Sequence, residues 1–348
     1  MRAVVLRTPG PAATSLVLEN LADPSPGPGQ IVVAVAHCGV CFHDVVVRNG
    51  TLKAGVTMPL VLGHEIAGHV VAVGFGVTEF REGQRVATTQ RSHVCGGCRY
   101  CRSAREPLCA DAVFLGDIGL NGGYSEFVLL DASAVVVVPE AVDLRSASVA
   151  ACAVGTAYHS VVAVGLAQPG ERVAVTGASG GVGIHAVQMA RAVGCEVFAV
   201  TTSPGQVGAL RAAGADHVVC HARGSDFSAD MRALTGGEGV DVLIDCVGTA
   251  SFQPARKSIA RGGRWVMVGQ LSGDFVPFNP AQLFLKGISM LSATSVTREE
   301  LRRCLDMLAR GSVRAMLGES LPLTDAARAH ALLEAGAANG RLTLAVAA

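Results

Sequence analysis

The chain has 348 residues, half of them hydrophobic and 16% of them charged. This length favours two domains over a single hydrophobic core. The 28 basic residues are balanced by 28 acidic ones, which argues against nucleic acid or an anionic membrane surface as the main partner.

The N-terminal residues and the most apolar stretch both favour a cytoplasmic protein. Residues 1–5 read as a β-strand, and no apolar segment with a cleavage site follows them. The most apolar passage, 146–167, is interrupted by Tyr158, His159 and Ser160, so it predicts a buried segment rather than a membrane span. We therefore expect a small-molecule substrate, with neither a membrane nor a nucleic acid as partner.

Residues 1–150 predict a β-rich domain. Short β-type runs alternate with turn signals such as Pro-Ser-Pro-Gly-Pro-Gly at 24–29. We predict strands at 30–36, 65–73, 85–89 and 134–138. Several short strands at this spacing favour a rolled, barrel-like domain.

The pattern changes near Ser148, after which short apolar strands alternate with helical stretches. We predict strands at 172–176, 196–200, 217–219, 240–245 and 264–268, with helices at 182–193 and 206–213. This alternation is typical of βαβ units in a doubly wound parallel sheet. After Gly287 we predict helices at 298–309 and 326–334 and a last strand at 341–346.

Four of the 11 cysteines stand close together in one loop: Cys95, Cys98, Cys101 and Cys109. In a cytoplasmic chain this spacing favours metal ligands over disulfides. Four thiolates with no open position indicate a closed, structural Zn²⁺ site, with an iron–sulfur cluster as the alternative. We interpret five other cysteines as small buried hydrophobes, namely Cys38, Cys195, Cys220, Cys246 and Cys304.

A glycine-rich turn follows the predicted strand 172–176 and opens the predicted helix. It reads Gly177-Ala178-Ser179-Gly180-Gly181-Val182-Gly183. A turn of this kind lets the backbone approach a pyrophosphate at the helix N-terminus. The next strand ends in Thr201-Thr202-Ser203, with no carboxylate to hold a ribose 2′-hydroxyl and no arginine close behind. The absent carboxylate and the three hydroxyls, which could bind a 2′-phosphate, favour NADP(H) over NAD(H), whereas the absent arginine argues the other way.

The stretch 39–65 offers a thiol and an imidazole, each followed closely by a carboxylate. It contains Cys41 with Asp44 and His64 with Glu65. A catalytic Zn²⁺ uses three protein ligands and keeps the fourth position open. Cys152, far along the chain, is our candidate for the third ligand, although taken alone it would be a buried core thiol.

Together these residues resemble the zinc-containing medium-chain dehydrogenase/reductase family, of the alcohol dehydrogenase type. The resemblance rests on Gly-Val-Cys-x-x-Asp at 39–44, Gly-His-Glu at 63–65, the cysteine quartet, Cys152, the glycine turn and Gly-Gly-Tyr-Ser-Glu-Phe at 122–127. It implies an α/β chain with a β-rich GroES-like catalytic domain at 1–153 and 287–348. A Rossmann NAD(P)-binding domain would occupy 154–286.

The resemblance also implies site residues. Cys41, His64 and Cys152 would hold a catalytic zinc, with Glu65 as a neighbouring or exchangeable ligand and Asp44 orienting His64. The cofactor-binding residues would be Thr156, Gly177, Gly180, Gly181, Val182, Gly183, Thr201, Thr202, Ser203, Val247, Val268 and Arg341, the last contacting the pyrophosphate. Homodimers or homotetramers would form through the sheet edge near residues 284–291.

Two positions depart from the family pattern. Phe42 stands where a basic residue often contacts the cofactor phosphates, and His43 stands where a Ser or Thr hydroxyl normally relays the alcohol proton. An imidazole can exchange a proton near neutral pH, so His43 is our candidate relay. Because zinc-bearing enoyl reductases share this departure, reduction of an activated C=C bond is the alternative reaction.

Two further interpretations stay open. Cys38 and Cys41 form a C-x-x-C pair, but they lie outside a βαβ unit, where a redox dithiol is normally found. A nucleotide-binding redox sensor without catalysis is the third hypothesis, and it predicts dinucleotide binding with no turnover. The substrate pocket is expected to be apolar, with Phe42, Phe114 and Leu120 as candidate wall residues.

Overall fold

The computed structural model describes residues 1–52, 55–117, 119–270 and 274–346. The strands are, in chain order, β1 (Arg2–Leu6), β2 (Leu16–Asn20), β3 (Gln30–Gly39), β4 (Leu60–Val61), β5 (Glu65–Val73), β6 (Arg85–Thr88), β7 (Arg91–His93), β8 (Val113–Phe114), β9 (Phe127–Asp131), β10 (Val135–Val137), β11 (Arg172–Thr176), β12 (Glu196–Thr201), β13 (His217–Cys220), β14 (Val240–Asp245), β15 (Ile259–Met267), β16 (Ser289–Ser292), β17 (Leu317–Pro322) and β18 (Arg341–Ala345).

The helices are α1 (Ala12–Ser15), α2 (Phe42–Arg48), α3 (Leu144–Ser148), α4 (Gly155–Tyr158), α5 (Gly183–Val193), α6 (Val207–Ala212), α7 (Ser228–Leu234), α8 (Phe252–Ser258), α9 (Ala281–Phe284), α10 (Arg298–Ala309) and α11 (Ala326–Glu334). Two π-helical segments, Ala150–Val154 and His159–Val164, flank α4. Within the described ranges, no helix is long and apolar enough to span a membrane.

The chain divides into two compact units. The first, the β-rich unit, comprises Met1–Gly155, Ser295–Gly311 and Ala315–Ala348. The second, the parallel-sheet unit, comprises Thr156–Thr294 and Ser312–Arg314. The predicted boundary at 287 would place β16 in the first unit, but β16 pairs with β15 in the parallel sheet, so the chain returns only at Ser295.

The β-rich unit is built around the antiparallel pair β3 and β5. Its main sheet has the order β10-β6-β5-β3-β18-β17, and β9 also pairs with β3. Apolar side chains from β3, β5 and β9 fill the core, for example Ile31, Ile66 and Leu130. The register of β3 and β5 sets Gly39 directly opposite Glu65. This pairing brings the two halves of the 39–65 motif together.

The parallel-sheet unit has the strand order β13-β12-β11-β14-β15-β16, with every neighbouring pair parallel. The strand order changes direction between β11 and β14. Open α/β sheets bind ligands at such a point, beyond the carboxyl ends of the strands. Phe198, Leu243 and Trp265 lie in its core and are fully buried. The predicted α/β class, with a β-rich part and a doubly wound parallel sheet, is confirmed.

Candidate active site

Cys41 lies at the junction of β3 and α2. The carboxylate of Asp44, three residues into the helix, accepts a hydrogen bond of 2.8 Å from the Cys41 backbone N–H. A carboxylate at this position satisfies a backbone donor that the helix itself leaves unpaired. Helix capping thus fixes both the sulfur of Cys41 and the carboxylate of Asp44.

His64 follows a segment whose backbone is fixed by hydrogen bonds and by a tight turn. The backbone N–H groups of Gly122, Gly123 and Tyr124 donate to the carbonyls of residues 61–63, at 2.7–2.9 Å. Gly63, with φ of +100°, makes the turn that leads into His64. The imidazole is buried, and its Nδ1 lies 3.2 Å from Asp44 Oδ1. Neither atom has another hydrogen-bond partner among the described residues, so these two atoms interact chiefly with each other, through the charges of the carboxylate and the ring, at this distance.

Cys152 joins them from the π-helical segment Ala150–Val154, in which every residue is buried. Its sulfur is 3.9 Å from that of Cys41. Two thiolates at about 2.3 Å from one tetrahedral Zn²⁺ would stand about 3.8 Å apart. One ligand atom from each of Cys41, His64, Glu65 and Cys152 lies within 4.8 Å of the others. These donors therefore fit a zinc ion in type and spacing.

Glu65 is paired with Arg341 in the interior of the β-rich unit. Arg341 Nε donates to Glu65 Oε2 at 3.0 Å, and Nη2 donates to Oε1. The same Nη2 lies 3.5 Å from the sulfur of Cys152. The structure thus brings Arg341, which we assigned to the pyrophosphate, against the candidate metal ligands. Glu65 Oε1 remains 3.8 Å from His64 Nε2.

The electrostatics of this cluster favour a cation. Burial lowers the pKa of His64, but the carboxylate of Asp44 and the thiol of Cys41 raise it further, to about 10. The contact with Cys152 lowers the pKa of the Cys41 thiol well below its ordinary value. Negative charge at Cys41 and Asp44 is therefore balanced by a proton on His64. A divalent metal would displace that proton, as metal binding to thiolate and imidazole ligands does.

His43 projects from the first turn of α2 beside these ligands. Its Nε2 is 3.2 Å from Asp117 Oδ2, and its ring centroid is 4.8 Å from that of Phe114 and 5.4 Å from that of His64. Asp117 is buried, and no sequence pattern pointed to it, because it is 74 residues from His43. Phe114, a candidate pocket residue, lies against both histidines.

The cysteine quartet gathers in a separate loop of the β-rich unit. The sulfur of Cys101 lies 3.9 Å from that of Cys95 and 3.6 Å from that of Cys98, and all four sulfurs lie within 4.8 Å of one another. Backbone N–H groups donate to three of the sulfurs. The backbone N–H of Cys101 is the main cause that lowers the pKa of Cys98 to about 7. These sulfurs also fit a zinc ion.

The glycine turn leads from β11 into α5 in the parallel-sheet unit. Gly177 has φ of +59°, and a β-carbon on it would stand 2.9 Å from the side chain of Val247. A β-carbon on Gly183 would stand 2.2 Å from the carbonyl oxygen of Gly177. Only glycine permits this close approach, and it leaves the N-terminus of an 11-residue helix open to a phosphate.

The other predicted cofactor residues have different environments. Thr201 is buried and its hydroxyl is hydrogen-bonded to that of Ser179 at 3.0 Å, so only Thr202 and Ser203 extend towards the surface. Val268 N–H donates to the carbonyl of Asp245, next to the end of β14. Thr156 lies in α4 and is half-buried.

Sequence reasoning missed the role of Asp245 at the end of β14. Its Oδ1 accepts hydrogen bonds from the hydroxyls of Thr176 and Ser251, at 2.6 and 2.9 Å, and from the N–H groups of Val247 and Gly248. Its Oδ2 accepts from the Trp265 indole. The Asp245 carboxylate thus links the end of β11, the segment after β14 and strand β15, around the point where the strand order reverses.

The interpretation of five cysteines as buried hydrophobes is wrong for two of them. Cys38, Cys195 and Cys304 are buried, but Cys246 is half-buried and Cys220 is exposed. Cys220 is the last residue of β13, a short strand at the edge of the parallel sheet.

Comparison with known proteins gives the same order of domains. The family described as the alcohol dehydrogenase GroES-like domain matches residues 27–140, and the family described as zinc-binding dehydrogenase matches residues 181–310. An acryloyl-coenzyme A reductase from Metallosphaera sedula is 32% identical over 322 residues, which cover 91% of this chain and 92% of that protein. An alcohol dehydrogenase from Geobacillus stearothermophilus is 33% identical, covering 95% and 96%.

Solved structures show the same architecture over the full length. The crystal structure of AibC superimposes with a TM-score of 0.93 at 43% identity, covering 99% of this chain and 95% of that one. The matches therefore extend over both units of the chain.

Proposed function

Because the chain belongs to the zinc-containing medium-chain dehydrogenase/reductase family and is an NAD(P)-dependent oxidoreductase, we propose that it interconverts an alcohol and an aldehyde or ketone. The convergence of Cys41, His64 and Cys152, with Glu65, carries this proposal. When bound, zinc supplies a Lewis acid and the nicotinamide supplies or accepts a hydride. Cys41, His64 and Cys152 would hold the metal. Asp44 lies against His64, and Arg341 is paired with Glu65.

Removal of one ligand tests the metal's role. Cys152→Ser is expected to lose one zinc ion per chain by elemental analysis and to lose turnover, while dinucleotide binding persists. Cys304→Ala is the matched control, because Cys304 is buried in α10 and belongs to neither group of candidate metal ligands among the described residues. A Cys152→Ser enzyme with wild-type turnover would rule out this function.

His43 is the side chain that we propose carries the proton. It is 29% exposed, so its ring can exchange protons with solvent, while Asp117 fixes its orientation. His43→Ala is expected to lower kcat by roughly 10²–10⁴-fold, the usual contribution of a general acid or base. His43→Ser, which restores a hydroxyl, is expected to recover part of that loss. Wild-type kcat in His43→Ala would exclude the role.

A second candidate reaction is reduction of an activated C=C bond. A relative at 32% identity is named acryloyl-coenzyme A reductase, and His43 replaces the hydroxyl that alcohol oxidation normally uses. In this reaction His43 would deliver a proton to one carbon after hydride reaches the other. Assays with an enoyl thioester, an enone and a set of alcohols separate the two: the product of C=C reduction keeps its carbonyl group.

We also propose NADP(H) as the preferred coenzyme. The end of β12 offers the hydroxyls of Thr202 and Ser203 and no carboxylate that would repel a 2′-phosphate. Thr202→Asp is expected to shift the preference towards NADH, measured as the ratio of kcat/KM for the two coenzymes. An unchanged ratio would contradict the assignment.

The quartet of Cys95, Cys98, Cys101 and Cys109 is proposed to bind a second, structural zinc. The four sulfurs leave no position for a substrate, which is typical of a structural site. Two zinc ions per chain are therefore expected in the purified enzyme. Cys109→Ala should remove one of them independently of Cys152→Ser.

We propose that the protein is a cytoplasmic homodimer or homotetramer with no membrane or nucleic-acid partner. None of the 11 cysteines forms a disulfide, which agrees with a reducing compartment. The edge strand β16 carries the exposed side chain of Met290, and Phe284 and Leu285 are exposed nearby. An unpaired edge beside apolar side chains is typical of an interface. Light scattering of wild type and of Leu285→Asp tests it, since the variant should dissociate.

A further inference from the structure

A buried polar cluster, formed by Asp44, Tyr124 and His330, lies beside His64 in the β-rich unit. We infer that Tyr124 and His330 are positioning residues, which fix the carboxylate of Asp44 against the imidazole of His64 and so strengthen metal binding there. This inference rests on the proposed function, in which His64 is a zinc ligand.

Each carboxylate oxygen of Asp44 contacts different neighbours. Its Oδ2 accepts from the Cys41 N–H at 2.8 Å and from the Tyr124 hydroxyl at 3.4 Å. Its Oδ1 faces His64 Nδ1 at 3.2 Å. The residue is fully buried, so no water competes for these contacts. A carboxylate held in this way fixes the ring orientation and increases the basicity of a metal-binding histidine.

Tyr124 is locked to the same segment as His64. Its backbone N–H donates to the Leu62 carbonyl at 2.9 Å, two residues before His64. Its ring packs so closely against Gly63 that a β-carbon there would stand 2.6 Å from Tyr124 Cδ1. Because both the backbone and the ring of Tyr124 are held, its hydroxyl has a fixed position beside Asp44.

His330, from α11, completes the cluster. Its Nε2 lies 3.1 Å from the Tyr124 oxygen, and the two rings meet edge to face. Burial is the main cause that lowers the pKa of His330, to about 4, so the ring is neutral. It lies near the charges of Arg48 and Glu334 as well as that of Asp44.

The direction of the hydrogen bonds follows from proton counting. The Tyr124 hydroxyl has one proton, and an ionised carboxylate can only accept, so Tyr124 donates to Asp44. The neutral His330 ring must then carry its proton on Nε2 and donate to the Tyr124 oxygen. Consistent with this tautomer, His330 Nδ1 has no hydrogen-bond partner among the described residues. Each donor in the series is thus aligned towards the carboxylate.

The sequence around these residues contains no signal for the pairing. Tyr124 and His330 are 206 positions apart, and neither is a metal ligand. The arrangement links the loop before β9 to α11 through a series of hydrogen bonds that ends at Asp44. In a low-dielectric interior, the hydrogen bonds of such a series strengthen one another.

Graded chelation of the purified holoenzyme tests the inference. Zinc per chain is measured by elemental analysis after equilibration with increasing concentrations of chelator. The step of zinc release that wild type shows and Cys41→Ser lacks is assigned to the proposed site that includes His64. In Tyr124→Phe, this zinc is expected to be released at a chelator concentration about tenfold lower than in wild type, which matches the usual effect of groups that orient metal ligands. The step of the cysteine quartet should not move, which serves as an internal control for folding.

A pair of His330 variants makes the test specific. His330→Leu removes the donor and is expected to behave like Tyr124→Phe, whereas His330→Gln keeps an N–H near the Nε2 position and should restore most of the affinity. In Co²⁺-substituted protein, the d–d bands of the site should shift in Tyr124→Phe and His330→Leu but not in His330→Gln.

The two levels of the proposal fail in different ways. If wild type and Cys41→Ser release identical amounts of zinc in identical steps, the proposed metal site itself is wrong. If wild type shows the extra step but Tyr124→Phe and His330→Leu keep it within twofold of its position, only the positioning role is overturned.

Discussion

The space in which a β-carbon of Gly39 would stand is filled by the carboxylate of Glu65. These residues face each other across β3 and β5, and an added β-carbon would lie 2.2 Å from Glu65 Oε2. Glu65 cannot retreat, because Arg341 binds both of its oxygens. The glycine is therefore required by the ion pair between Glu65 and Arg341, beside the candidate metal ligands, and not by its own backbone angles.

We expect Gly39→Ala to destabilise the protein by roughly 3 kcal/mol, because displacing Glu65 leaves a buried guanidinium unpaired. The change is measured as the loss of unfolding free energy in urea. Gly208→Ala in α6 is the control, since no atom lies within 4 Å of its added β-carbon and alanine favours a helix. A Gly39→Ala protein as stable as the control would contradict this account.

His185 provides a pH-dependent prediction at the same scale. It is fully buried in α5, and burial lowers its pKa from 6.5 to about 4. Between these two values the unfolded chain binds a proton that the folded chain does not, so stability falls as pH falls. Above pH 6.5 both states are neutral, and the stabilising contribution is complete.

The contribution of His185 should appear as a difference between two proteins. His185→Asn keeps a donor for the Gly181 carbonyl, which His185 Nδ1 contacts at 2.6 Å, but it does not titrate. Relative to this variant, wild type should lose about 3 kcal/mol of unfolding free energy between pH 6.5 and 4, at 1.4 kcal/mol per pH unit. The exposed His69→Asn should follow wild type. Parallel pH curves for wild type and His185→Asn would refute the prediction.

At the scale of elements, α10 shows how local sequence fixes a helix. Its predicted bounds, 298–309, are those observed. Thr297 Oγ1 accepts from the Glu300 N–H at 3.1 Å, and the Glu300 carboxylate accepts from the Thr297 N–H at 2.8 Å. This reciprocal cap is encoded in four consecutive residues, and Leu301 and Leu305 anchor the apolar face in the core.

Thr297→Ala is expected to cost about 1 kcal/mol of unfolding free energy, because the Glu300 N–H in the first helical turn loses the hydroxyl that accepts its hydrogen bond. Thr297→Ser keeps the hydroxyl and should remain within a few tenths of a kcal/mol of wild type. Chemical denaturation of the three proteins measures both values. Equal midpoints for Thr297→Ala and wild type would show that packing alone holds this helix.

Over the whole molecule, the loop that carries the cysteine quartet differs from the two units in what stabilises it. Each unit has its own apolar core. The quartet loop, by contrast, contains only short 3₁₀ turns between β7 and β8, and most of its residues from 95 to 105 are exposed. With so little burial, the loop depends on its four sulfurs and the metal that we propose they hold.

Removal of zinc from the quartet should therefore unfold this loop locally. Arg99, Arg102 and Arg105 are exposed, so trypsin is expected to cut the chain at these positions after chelation but not before. Mass spectrometry of the fragments locates the cuts, and Cys109→Ala should be cut without chelator. Equal resistance of the zinc-free and zinc-loaded proteins would mean that the loop is held by other contacts.

The sequence by itself determined the alternation of strands and helices, the glycine turn, and the side chains offered as metal ligands. These features depend on the spacing of residues that are close in the chain, as in Gly177–Gly183 or the cap of α10. Such spacing can be read directly from the sequence. Only the tertiary structure decided which distant groups meet: Asp117 with His43, Arg341 with Glu65, and His330 with Tyr124. Such pairs lie 74 to 276 residues apart, and strand register and helix packing bring them together rather than any local pattern.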